Sequence, residues 1–268
     1  IYNLIFVPMY LSKSIFSLLV VFTILFSSCK QPGCTDPTAS NYNADADKED
    51  DSCIYNNLSL QFNLKNNEQA FSRYDTLNFN EGSFRVENIT FYMSNITLNN
   101  SSISKNVKDV HLFRLDEPNT MNLEVTATNG NYESVSFGLG LTPELNSTGP
   151  NDYTTDHPLG LNQNTYWPML SGSYIFVKIE GKMDTSQTST FYPLTYHLAH
   201  EDLYRALDFQ KSISLDENNT VILQFNVDLS ELFTDIDLSK ELAHERNSSP
   251  LANPVSYTHL TLPTKVEV

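Results

Sequence analysis

The chain predicts a mostly β protein: a single antiparallel β-sandwich or barrel-like domain with short helices, behind a small disulfide-closed loop module. Three observations carry this expectation. Leu58, Leu60, Phe62 and Leu64 alternate with polar residues, the period of a half-buried strand. Similar short apolar runs recur down the chain, separated by clusters of Asn, Ser, Gly and Pro. Helical periodicity is scarce. Hydrophobic residues make up 40% of the 268 positions and aromatics 12%, enough for one core of ordinary size.

In chain order, the first segment reads as a secretory signal. The chain opens on Ile1, and Met9 is the better start. Lys13 follows, then the apolar run Ile15 to Phe26, then Ser27-Ser28-Cys29. A basic region, an apolar core and small residues before a cleavage point describe such a signal. The alternative, a transmembrane helix, needs ~20 apolar residues, more than this run supplies. Residues 1–28 are the expected signal peptide, and Cys29 the lipidated first residue of the mature protein. Such a protein crosses the inner membrane and stays in the periplasm or on the outer membrane of a bacterium, held to the membrane by its lipid.

Residues 29–56 form the next unit. The stretch from Gly33 to Tyr55 resembles a Cys-bracketed module that follows the signal in many secreted Bacteroidetes-type proteins. The chain has three cysteines. With Cys29 assigned to lipid, Cys34 and Cys53 are left to pair, which implies an oxidising compartment. The alternative, three free thiols on a metal, has no CxxC spacing behind it. The module is too poor in apolar residues to fold alone, and a Cys34–Cys53 bridge would contribute ~3 kcal/mol on the chain-entropy model. Asp45, Asp47, Asp50 and Asp51 offer hard oxygens suited to calcium. A solvated acidic spacer is the favoured reading, because the central Gly and terminal Glu of an EF-hand loop are missing.

Residues 57–254 are the expected β domain. After the strand around Leu58–Leu64 comes a longer one, Val86–Leu98, with room for a bulge. Further strands are expected at Val110–Phe113, Asn122–Ala127, Tyr132–Gly138, Tyr174–Gly181, Thr190–Leu198 and Val221–Val227. Ser230–Phe233 and Leu238–Glu245 are the helix candidates. Asn88, Asn95 and Asn146 begin Asn-x-Ser/Thr triplets, but Asn is abundant here and the lipoprotein signal points to a bacterium. The run Val255–Thr264 resembles the translation of a transposase sequencing adapter. Residues 255–268 are therefore expected to be foreign to the protein, and His259 drops out as a candidate ligand.

The net charge is −16, which excludes nucleic-acid binding through a basic surface. It suits a soluble envelope protein or one that attracts cations. There is no Gly-x-Ser-x-Gly elbow and no His-Glu-x-x-His. The carboxylate pairs Glu201 with Asp202 and Glu231 with Asp235 read as solvated faces or helix ends. The chain is not expected to be an enzyme.

Several blocks, taken in order, resemble the MbnP-like family of copper-binding envelope proteins. They are Ser83 to Ile96, Val135-Ser136-Phe137-Gly138-Leu139-Gly140, His157-Pro158-Leu159, Tyr166-Trp167-Pro168-Met169 with Gly172 to Gly181, and Tyr196-His197-Leu198. Together they span roughly Leu58 to Ile236. The resemblance implies a β domain that binds copper in uptake, storage or delivery. In some members a tryptophan is oxidised to a kynurenine-type residue beside the metal, through a dihaem peroxidase-like partner. This chain has no CxxCH of its own, so another protein would supply the oxidation. It departs from many relatives in carrying Pro168 and Met169 after Trp167.

Imidazole is a good copper ligand. His197 lies in the matching motif and is the first candidate. His157, in a loop ten residues before Trp167, is the second, and His244 the third. Trp167, the sole tryptophan, is placed at the site. His200 would point away from His197 on a strand, and His111 alternates like a structural strand residue. Met93, Met169 and Met183 read first as core filler, with Met169 near enough to Trp167 to supply a thioether. The competing expectation is a metal-free surface sandwich that binds protein or glycan through an exposed platform of Tyr166, Trp167 and Tyr174.

Overall fold

The structure is a computed structural model and describes residues 30–37, 39, 41–55, 57–79, 82–168, 172–184, 191–199, 201–216, 220–233 and 243–245, the last three by backbone alone. Residues 1–28, Cys29, Met169, His200, Asp235, His259 and 255–268, on which several expectations fall, lie outside them. Among the described residues no helix is long and apolar enough to cross a membrane. The chain divides into two units, Ile1–Tyr55 and Asn56–Val268.

The described residues of the first unit form an irregular loop closed by the expected Cys34–Cys53 disulfide. Polar side chains stand in for a core. Glu49 accepts hydrogen bonds from the backbone and hydroxyl of Thr35, at 2.8 and 2.7 Å, and from the backbone N–H groups of Asp50 and Asp51. These donors hold its carboxyl below the usual range. Asn41 clamps the other end, donating to the Ser52 carbonyl and accepting from the Ile54 amide.

In the second unit the strands are β1 (Leu58–Asn66), β2 (Gln69–Ala70), β3 (Thr76–Phe79), β4 (Gly82–Asn99), β5 (Ser104–Arg114), β6 (Asn122–Val125) and β7 (Gly130–Leu139). After the short helix α1 (Pro143–Asn146) come β8 (Tyr166–Trp167), β9 (Ser173–Tyr174), β10 (Val177–Asp184), β11 (Tyr192–Leu198), β12 (Arg205–Leu215) and β13 (Val221–Asp228). Helix α2 (Leu229–Leu232) and strand β14 (Ala243–Glu245) follow. The larger sheet runs β12-β7-β4-β10-β11-β14, with β3 and β5 also paired to β4. The smaller runs β13-β1-β2, with β6 on β1.

Phe62 of β1 marks where the two sheets meet. It stacks on Phe225 of its own sheet, centroids 4.7 Å apart. It also packs against Phe113, Phe91 and Phe137 of the larger sheet at 4.5, 5.9 and 6.1 Å. The alternation of β1 is what delivers this ring inward, because Leu58, Leu60, Phe62 and Leu64 are all buried on one face.

The structure bears out the mostly β, mostly antiparallel expectation, refines its pairing and corrects two of its elements. Pairing is mostly antiparallel, but β1 runs parallel to β13 and β11 parallel to β14. The parallel β1–β13 pair brings two inward-facing rows side by side, Leu58-Leu60-Phe62 against Val221-Leu223-Phe225. The sheet ends, β12 and β14, do not pair with each other, so among the described residues no barrel closes. The expected Leu238–Glu245 helix fails at its described end, since Ala243–Glu245 is a strand against Thr195–His197. The expected Tyr174–Gly181 strand breaks after Tyr174 and resumes at Val177. The eleven-residue strand β12 was not expected, although Leu207, Phe209, Ile213 and Leu215 stand at alternate positions in it, with Lys211 interrupting the apolar row.

The 18-residue strand β4 carries both halves of the larger sheet. A register shift near Asn95, whose φ is 51°, is the bulge that the long Val86–Leu98 pattern allowed for. A second shift lies between Glu180 and Gly181 of β10. There the Gly181 backbone comes so close to β4 that an added Cβ would run into the Arg85 carbonyl and the Phe84 ring.

Candidate metal centre

β10 alternates from Val177 to Met183 and β11 from Pro193 to Leu198. Val177, Ile179, Gly181 and Met183 are buried, as are Leu194, Tyr196 and Leu198, which leaves Lys178, Glu180, Thr195 and His197 on the opposite face. Cross-strand register pairs Lys178 with His197 and Glu180 with Thr195. Glu180 therefore sits diagonally across from His197, within reach of a side-chain contact. His197 Nε2 lies 3.0 Å from Glu180 Oε1, and Lys178 Nζ lies 3.2 Å from the same oxygen. The hydrogen bond from His197, then the charge of Lys178, holds the Glu180 carboxyl below the usual carboxylate range against the opposing pull of burial. Glu180 was missed in the sequence, where it reads as one of several charged strand residues.

Trp167 reaches this face through a short hairpin. β8 and β9 pair Tyr166 with Tyr174 and Trp167 with Ser173. Two backbone bonds anchor the hairpin, from Ile175 N–H to Thr165 O at 2.7 Å and from Phe176 N–H to Leu198 O at 2.7 Å. The second fastens it beside His197. Buried tyrosines fix the loop that leads into it. Tyr92 Oη donates to Pro158 O at 2.7 Å and shares a 2.6 Å bond with Thr165 Oγ1, while Tyr174 Oη donates to Leu159 O at 3.0 Å. Burial pushes the Tyr92 hydroxyl far above its ordinary pKa, so it is a permanent neutral donor. Asn146 adds its carbonyl, accepting from Tyr174 N–H and Ser173 Oγ.

The outcome is an edge-to-face contact between Trp167 and His197, centroids 5.8 Å apart and planes at 79°. Both residues are half-buried. Tyr174 is fully buried, so the exposed platform of Tyr166, Trp167 and Tyr174 does not exist.

The other candidates stand in different settings. His157 stacks face to face on Tyr153 at 4.3 Å, and its Nδ1 accepts the Leu159 amide at 3.1 Å. Partial burial, then the charge of Lys108, lowers its pKa despite Asp156. His244 is in register with Tyr196, one residue out of phase with His197, which is opposite Glu245. His111 is structural, its Nε2 bonded to the Thr120 carbonyl at 2.8 Å and its ring edge-on to Phe113. Met93 and Met183 are buried in the core.

In the first unit, Asp45, Asp47, Asp50 and Asp51 are all exposed, and Asp50 accepts the Ser52 amide. Among the described residues, three His, Cys, Asp or Glu ligand atoms converge only at Cys34, Glu49 and Cys53. There the two sulfurs are joined to each other and are not thiolate ligands.

The profile of the MbnP family matches residues 55–251. Among solved structures, MbnP from Methylosinus trichosporium is similar at 13% identity, over 70% of this chain and 79% of that one, with a TM-score of 0.46. No curated protein matches the chain. A family profile that runs through almost the whole second unit, from before β1 to past β14, leaves one conclusion: the chain belongs to the MbnP family, which is associated with copper at the cell envelope.

Proposed function

We propose that this chain binds copper at the corner where Trp167 meets His197, for uptake, storage or delivery in the envelope. The observation that carries the reading is the 5.8 Å contact between the sole tryptophan and His197. The donor set suits copper, since imidazole binds it well and an adjoining carboxylate commonly orients a ligating histidine. An intact indole offers an N–H donor and no lone pair to a metal. Trp167 would enter the coordination shell only after oxidation to a kynurenine-type residue, which a dihaem peroxidase-like partner would perform. His157 and His244 are the candidates for a second imidazole. Lipidation at Cys29 would hold the protein at the membrane, and Asp45, Asp47, Asp50 and Asp51 remain a candidate calcium surface.

The test is a Cu(I) titration of the purified chain against the chromophoric chelator bicinchoninate, with the mass of the Trp167 peptide read in parallel. One tight site per chain is expected, and His197→Ala should abolish it. Unchanged affinity in that variant would sink the assignment. His157→Ala and His244→Ala then identify the second imidazole.

A further inference from the structure

We infer that Glu180 is the positioning residue of this site: it holds His197 in the Nε2–H tautomer and so makes Nδ1 the nitrogen offered to copper. The inference rests on the copper reading for its metal, but not for its geometry.

The argument runs through one oxygen atom. Glu180 Oε1 meets both His197 Nε2 at 3.0 Å and Lys178 Nζ at 3.2 Å. An ionised carboxylate only accepts hydrogen bonds, so Nε2 must carry a hydrogen. In a neutral imidazole the lone pair is then on Nδ1. Lys178 has its own part. Its side chain is 14% exposed, so its ammonium has few partners in water and stays by the carboxylate. Lys178 and His197 thus converge on one acceptor oxygen, which fixes the carboxylate beside Nε2.

The backbone frames the arrangement. Opposite Glu180 and Gly181, strand β4 carries one extra residue, Glu87, while β10 keeps continuous register with β11, so Glu180 stays diagonal to His197. Gly181 has no Cβ, which lets β10 lie against the Arg85 carbonyl. On the other strand, Phe176 N–H bonds to Leu198 O, next to His197, and Trp167 stands edge-on to the imidazole. The ring is thus gripped at Nε2 by Glu180 and flanked by the indole, with its remaining nitrogen presented as a ligand. A histidine oriented by an outer carboxylate typically loses 10–100-fold in metal affinity when the carboxylate is removed.

Two readouts test this on the whole chain. The first is the tautomer of His197 in metal-free, 15N-labelled protein near neutral pH, from long-range proton–nitrogen correlations assigned with His197→Gln. The wild type should show Nε2–H with a pyridine-like Nδ1. Glu180→Leu should lose that preference, and Glu180→Gln, whose amide oxygen still accepts, should keep it. The second is Cu(I) affinity against bicinchoninate. Glu180→Leu should weaken it about 10–100-fold, with most of the loss restored in Glu180→Gln. An Nδ1–H tautomer in the wild type, or a tautomer and affinity indifferent to Glu180→Leu, would overturn the inference. If instead His197→Ala leaves copper binding intact, the copper reading fails, whatever the tautomer shows.

Discussion

Trp167 and His197 are thirty residues apart in sequence and stand edge to face at 5.8 Å, with their planes at 79°. The contact joins the 165–176 hairpin to the outer face of β11, and it makes the sole tryptophan a reporter on the candidate ligand.

Indole fluorescence should therefore follow the metal. Adding Cu(I) or Cu(II) to the metal-free chain should quench Trp167 emission to an end point at one equivalent. His197→Ala should remove the end point while leaving an emitting indole. Quenching that persists unchanged in the variant would place the metal elsewhere.

Gly181 lets β10 approach β4 beside the extra residue, Glu87, that β4 carries there. Gly181→Ala would drive a Cβ into the Arg85 carbonyl and the Phe84 ring, so the strand must shift. The expected loss is about 2 kcal/mol or more in urea unfolding. Because the shift falls beside Glu180, the His197 tautomer should change as well. An unaltered midpoint would show that the sheet absorbs the extra carbon.

Phe62 packs against four rings from both sheets. Phe62→Ala should cost about 3–5 kcal/mol, measured by chemical denaturation. A loss below 1 kcal/mol would mean that the sheets close over the gap.

His111 is half-buried beside the Thr120 carbonyl, and desolvation, then the charge of Lys108, lowers its pKa below the ordinary 6.5. The folded chain consequently binds fewer protons than the unfolded one between the folded pKa and 6.5. Stability should be complete above that window and decline as pH falls through it. His157 is shifted in the same direction. His111→Gln should flatten part of this slope below the ordinary histidine pKa of 6.5. An identical slope in the variant would rule out His111 as a source.

The first unit has a disulfide and a carboxylate hub in place of an apolar core. Reduction of Cys34–Cys53 should release a constraint of ~3 kcal/mol and open residues 30–55 to proteolysis. The second unit's unfolding midpoint should stay where it was. A simultaneous fall in that midpoint would show the two units fold together.

Much of the fold was legible because burial writes period 2 into a strand. Leu58, Leu60, Phe62 and Leu64 marked β1, the long Val86–Leu98 pattern held its bulge, and the cysteine count paired Cys34 with Cys53. Pattern alone could not reveal partner or direction. The same alternation serves parallel and antiparallel neighbours, so the parallel β1–β13 pair appears only when strands separated by more than 150 residues meet. The site divides in the same way. His197 and Trp167 stood out by residue type and by their blocks, and their meeting depends on the Phe176–Leu198 backbone bond. Glu180 carried no local mark. Its closeness to His197 comes from the cross-strand register of β10 and β11, which long-range pairing sets and no stretch of sequence contains.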